Sequence, residues 1–194
     1  MPTELQTEQG IARVPTGTWH VDPTHSSVEF EIKHMMIATV RGRFTEFEGT
    51  IVAAEDIVDS RAFGVVKAAS IDTNEPTRDE HLRSPEFFDV ERYPEIRFES
   101  TEIRPLGEAA FDVAGNLTIK DVTREVELRA TLEGAQRDPW GNDRIGIRVR
   151  GSIDRKDFGL TWQRMLERGG YLLGDEVKIL IDISAVRADG GPDT

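Results

Sequence analysis

The stretch Ser70 to Phe98, SIDTNEPTRDEHLRSPEFFDVERYPEIRF, decides how the chain is read, because within it the two-residue alternation of the flanking segments stops. Before it, Ala62, Gly64, Val66, Ala68 and Ser70 share one face of a strand predicted over residues 60–71. After it, Ile96, Phe98 and Ser100 resume the period. Between the two, Thr73-Asn74-Glu75-Pro76 reads as a turn feeding a short helix. Thr77 is its predicted N-cap, Asp79 and Glu80 lie in its first turn, Arg83 ends it and Pro85 limits it. Leu82, Phe87, Phe88, Val90 and Tyr93 carry too much apolar surface for a solvated loop, so the segment is predicted to pack as a lid over one end of a β-structure.

Outward from this stretch the chain alternates almost everywhere. Residues 17–22 start a strand, and Pro23 to Ser26 turn it toward residues 27–34, where Val28, Phe30 and Ile32 oppose Glu29, Glu31 and Lys33. Over residues 39–52 the apolar face shifts from Val40, Gly42 and Phe44 to Phe47, Gly49 and Ile51, which predicts a bulge near Thr45-Glu46. Further strands are predicted at 95–103, 109–119, 125–132, 144–153 and 176–186, with Asp121 and Val122 as a tight turn between two of them. About eight main strands, each with a single apolar face, point to an antiparallel sheet. Eight such strands close into a barrel able to hold one small ligand. The small inner face of the strand at 60–71 leaves room for it.

A length of 194 residues suits one such domain, predicted over residues 17–187, with disordered tails at 1–16 and 188–194. The balance of 24 basic against 36 acidic residues, a net charge of −12, argues against nucleic acid and anionic membrane surfaces as main partners. Without cysteine there is no disulfide, thiolate nucleophile or cysteine metal ligand. The start, MPTELQTEQGIARVPTG, has neither the basic residues nor the apolar run of a signal peptide, which with the missing cysteines predicts a cytoplasmic location. No apolar run approaches the ~20 residues of a spanning helix, so stable membrane insertion is not expected.

Five motifs, in order, resemble the YceI-like, polyisoprenoid-binding family. They are WHVDPTHSSVEFEIKHM from Trp19, VRGRFTEFEGTI from Val40, the central stretch AASIDTNEPTRDEHLRSPEFFDVERYPEIRFES from Ala68, GNLTIKDVTREV from Gly115, and IDRKDFGLTW from Ile153 followed by GDEVKI. The fourth carries Lys120-Asp121 where the commoner family form has histidine-glycine. The resemblance implies an all-β fold, an eight-stranded antiparallel lipocalin-like β-barrel with a short helical lid segment. It also implies an interior that holds a long isoprenoid or similar amphiphile, and a possible homodimer. It implies no shared catalytic residue and no cofactor beyond the bound lipid.

The inward residues predicted to line that interior are Phe30, Ile32, Phe44, Val66, Phe98, Val113, Leu117, Val149 and Ile179, with Ala68 on the small-residue face. Phe87 and Phe88 of the lid join them. Trp162, with Tyr171 and Leu172-Leu173, brackets the loop MLERGG at the barrel mouth. His34 continues the Val28-Phe30-Ile32 face and would set a polar group at the end of an apolar wall, within reach of a ligand head group. His20, His25 and His81 show no metal-ligand spacing and are read as structural, His25 in the turn after Asp22 and His81 beside carboxylates of the lid. Asp72, Asp79, Glu80, Asp89 and Glu91 are read as a solvated face with caps and salt bridges to Arg78, Arg83 and Arg92. No serine lies in a GxSxG context and no glycine-rich loop fits a phosphate. The sequence therefore favours non-catalytic binding, transport or storage of a long-chain isoprenoid lipid, a polyprenyl quinone or polyprenyl phosphate. An enzyme acting on an isoprenoid or other amphiphile is the alternative.

Overall fold

The computed structural model describes residues 7–8 and 11–188. Strands β1 (Thr7–Glu8) and β2 (Ile11–Ala12) pair only with each other. The wall follows as β3 (Gly17–Val21), β4 (Ser27–His34), β5 (Ala38–Phe44), β6 (Phe47–Ala53), β7 (Arg61–Lys67), the two-residue β8 (Ile71–Asp72), β9 (Glu95–Gly107), β10 (Ala110–Ile119), β11 (Val122–Arg137), β12 (Asp143–Asp154) and β13 (Leu173–Arg187). One α-helix, α1 (Pro76–Arg83), stands among the described residues.

Two pairs of these strands are halves of single wall strands. β3 and β4 both run antiparallel to β13, Val21 opposite Ala185 and Ser27 opposite Asp182. The break between them is the 3-10 turn Pro23–His25, where the Asp22 carboxylate accepts from the backbone N–H of Thr24 and proline takes the first position. β5 pairs with β4 and β6 with β3, so the second strand bends at Thr45-Glu46, where the bulge was predicted. Counted this way the wall has eight strands. Each pairs antiparallel with the next from β6 through β7, β9, β10, β11 and β12, and β13 pairs with β12 on one side and β3–β4 on the other, closing the barrel.

Several strands outrun their prediction, β11 by five residues at its far end and β13 by three at its start, because alternation fades near the rims while the ladder bonds continue. The turn before β11 is Lys120-Asp121, with Lys120 left-handed at φ 58°, and Val122 already pairs with Ile119. The strand predicted over 60–71 stops at Lys67, and Ala68–Ser70 form a 3-10 turn in which the Ala68 N–H donates to the Pro94 carbonyl.

Two buried clusters close the bore at its ends. At the lower end Trp19, Ile145 and Ala185 are almost completely buried with Phe111 and Leu132, and the half-buried Val14 packs against them. The Trp19 indole donates to the Pro15 carbonyl at 2.9 Å. Val14 and Pro15, within the predicted tail, thus contact the core, while residues 1–6, 9–10 and 189–194 of the predicted tails lie outside the described residues. At the upper end Ile119, Phe158 and Leu160 are buried, with Phe88 and Leu117 against them.

The lid is α1 and the compact segment after it. Glu75, not Thr77, is the N-cap: its carboxylate accepts from the N–H groups of Thr77 and Arg78. Pro76 at the first helical position has no N–H to satisfy, which moves the cap one residue before it. Asp79 and Asp89 are buried and not part of a solvated face. Asp79 accepts from the Thr73 hydroxyl at 2.5 Å and the Thr73 N–H at 2.8 Å. Arg78 and Arg83 bond Thr73 and the carbonyls of Ala69 and Ile71 in place of the predicted carboxylates, whereas Arg92 does reach Asp89.

Candidate functional site: an apolar bore under a lid

Between the two clusters the barrel encloses a cavity of about 820 Å³. Strand alternation builds it: every second residue of a half-buried strand points inward, and the inward residues here are apolar along nearly the whole wall. Phe30, Ile32, Phe44, Val66, Phe98, Val113, Leu117, Val149 and Ile179 all line it, as do Phe87, Phe88, Trp162 and His34. Ala68 does not. It is fully buried in the turn after β7, because that turn ends the alternation that had placed it on the inner face.

Glycines keep the bore open where aromatic rings lie against its wall. Phe30 stands opposite Gly42, and a Cβ on Gly42 would come within 2.3 Å of the ring. Phe98 covers Gly115 in the same way, at 2.5 Å. A side chain at either position would displace the ring into the cavity.

Polar groups in the lining divide by end. Toward the lower end Ser26 bonds Ser184, Thr50 bonds His20 and Ser60 accepts from the Ala54 N–H, so their capacity is already engaged. The lid end carries Thr73, Arg78, His81, His34 and Arg155. His81 pairs with Glu86 and stands edge-on to Phe87 and Trp162, both at 5.0 Å between ring centres. The half-buried His34 imidazole has no hydrogen-bond or ion-pair partner among the described residues.

Arg155 was not singled out from the sequence, although it continues the inward parity of Ile147, Val149, Gly151 and Ile153. Its side chain is almost wholly buried and donates to the carbonyls of Gly174 (2.8 Å), Leu160 (2.6 Å) and Trp162 (2.8 Å), with Asp175 at 3.4 Å. Burial pushes its pKa down, against the opposing pull of Asp175 and Asp154. The guanidinium fork ties the loop carrying Trp162 to the start of β13 and so fixes one side of the mouth. Among the described residues no group of three or more His, Asp or Glu side chains is arranged to hold a metal ion, and no helix is long and apolar enough to cross a membrane.

A closed antiparallel eight-strand barrel around one apolar bore, capped by a helical lid, defines a lipocalin-like container. The model of the YceI-like domain matches residues 19–185, and the chain belongs to that family. It is 41% identical to a UPF0312 protein of Pectobacterium atrosepticum over 138 residues, 71% of each chain. It is 39% identical to a UPF0312 protein of Serratia proteamaculans over 168 residues, 84% of this chain and 82% of that one. Among solved structures, the Campylobacter jejuni YceI protein superposes with a TM-score of 0.68 at 27% identity, over 81% of this chain and 91% of that one. Burkholderia cenocepacia BcnA (TM-score 0.74, 22% identity, 84% and 98% covered) shares the fold. So does a polyisoprenoid binding domain from Saccharophagus degradans implicated in plant cell wall breakdown (0.67, 17%, 87% and 98%).

Proposed function

We propose that this protein binds a long-chain isoprenoid lipid, such as a polyprenyl quinone or polyprenyl phosphate, inside the barrel and stores or carries it without chemical change. The observation that carries the reading is the bore itself: about 820 Å³ of continuous, mainly apolar cavity spanning from the lid to the lower cluster. That volume lies in the upper part of the range of small-molecule pockets, about 300–1,000 Å³. Each buried methylene contributes about 0.8 kcal/mol, so one five-carbon unit offers several kcal/mol before the cost of association, and chain length drives affinity. The polyisoprenoid binding described for the Saccharophagus degradans domain supports the same class of ligand.

The contrast between the two ends supports one orientation. The lower end offers a dry apolar cluster and polar groups that are already bonded, which suits the tail. The lid end offers the unengaged His34 imidazole, with Arg78 and His81 also in the lining, which suits a polar head. An enzyme would need acid, base or nucleophile converging on one point, whereas of the carboxylates nearest the bore Glu75 caps α1 and the exposed Glu29 and Glu48 alternate with the inward residues of β4 and β6. Titrating delipidated protein with isoprenoids of rising length tests the reading: affinity climbs with length, and His34→Ala weakens headed ligands more than the bare hydrocarbon. Affinity independent of length, or turnover of the added lipid, overturns it.

A further inference from the structure

Of the nine large apolar side chains exposed among the described residues, five stand together at the lid end: Met35, Met36, Ile37, Met165 and Tyr171. Met36 is 67% exposed, Ile37 82% and Met165 73%. The first three form the tip of the β4–β5 hairpin. The other two face each other across the bridge Met165–Tyr171 of the neighbouring loop, and the Met35 N–H donates to the Leu172 carbonyl at 2.7 Å, joining hairpin and loop. The patch borders the cavity wall: His34 and Leu172, next in sequence to Met35 and Tyr171, both line the bore.

The backbone of the tip sharpens the point. Met35 and Met36 both adopt left-handed conformations, φ 53° and 60°, and the Ile37 N–H closes the two-residue turn on the His34 carbonyl. A turn with both central residues left-handed favours Asn-Gly, so two exposed methionines there are unfavourable for the turn and for hydration alike. What they offer is a flexible apolar wedge at the mouth of a lipid cavity.

We infer that this rim docks on the surface of a lipid bilayer, seating the mouth of the bore against the source of its ligand. The net charge of −12 opposes an anionic surface, but the hairpin and loop here carry Lys33, Arg41, Arg164 and Arg168 against Glu31 and Glu167. Glu31 and Arg41 pair and cancel, which leaves Lys33, Arg164 and Arg168 against Glu167. The patch is thus apolar with a local basic excess, the composition of an interfacial membrane contact. The inference rests on the proposed lipid-binding function, since a container for a membrane lipid has to meet the membrane.

The test is co-sedimentation of the full chain with phosphatidylcholine vesicles containing phosphatidylglycerol, alongside thermal melting and extraction of bound lipid. One variant replaces the tip with the residues its turn favours, Met35→Asn with Met36→Gly. A second, Ile37→Ser with Met165→Ser, leaves the turn alone. Each side chain withdrawn from the bilayer is expected to lower vesicle affinity about tenfold, without a lower melting temperature or less bound lipid. Wild-type protein that holds lipid yet ignores vesicles overturns the docking alone. Vesicle binding by a protein that neither carries nor accepts isoprenoid supports docking and overturns the proposed ligand. Unchanged binding by both variants overturns it, as does a patch whose substitution only turns a dimer into a monomer.

Discussion

Phe30 and Gly42 show how single positions set the width of the bore. A Cβ at Gly42 would fall 2.3 Å from the Phe30 ring, so Gly42→Val is expected to swing the ring inward and reduce the isoprenoid retained on purification. Wild-type lipid content in a folded Gly42→Val protein, measured by mass spectrometry, would contradict this. Ala68→Phe is expected to do the reverse: overpacking a buried turn outside the cavity costs about 1–3 kcal/mol and leaves lipid content unchanged, read from the melting temperature beside the lipid assay. Parity explains what the sequence revealed at this scale. Counting by twos places Phe30, Val113, Val149 and Ile179 correctly on the inner face, and would have placed Arg155 there too. It fails at Ala68, where a 3-10 turn breaks the count without any proline or glycine to mark it.

At the scale of elements, the lid and the lower turn make separate contributions. Phe87 is buried against His81 and Trp162, so Phe87→Ala is expected to destabilise by about 3–5 kcal/mol in chemical unfolding. Phe88, half-buried with its ring 6.0 Å from that of Phe44, is expected to cost less and to speed ligand exchange more. Equal costs for the two would show that the lid is uniformly structural. At the other end Arg144 bridges Asp22 (2.9 Å) and Asp138 (2.8 Å). Hydrogen bonds from Thr24, then Arg144 and His25, hold the Asp22 carboxyl well below the usual range, and Arg144 does the same for Asp138. Depressed values mean that both carboxylates stabilise the fold fully above their unfolded pKa of about 4 and lose that effect as pH falls below it. The melting temperature is expected to drop progressively from pH 4 downward, and less steeply in Asp22→Asn; parallel curves would contradict the assignment. The helix was legible from its proline and flanking acids. Its cap was not, because Glu75 and Thr77 are both plausible until the position of Pro76 in the first turn is known.

For the molecule as a whole, the strand count, the bend at Thr45-Glu46 and the single apolar face together made the barrel readable, since each is a local pattern that only closure satisfies. The volume of the bore was not readable, because it depends on how far rings such as Phe30 and Phe98 lie back against glycines on the neighbouring strand. The homodimer remains an expectation from the family resemblance alone, and sedimentation showing only monomer at every concentration would remove it. Occupancy of the bore by a long isoprenoid is tested by organic extraction of the purified protein followed by mass spectrometry. One long-chain isoprenoid is expected in near-stoichiometric amount. A protein that yields no lipid, and binds neither isoprenoid nor fatty amphiphile when these are supplied, would contradict it.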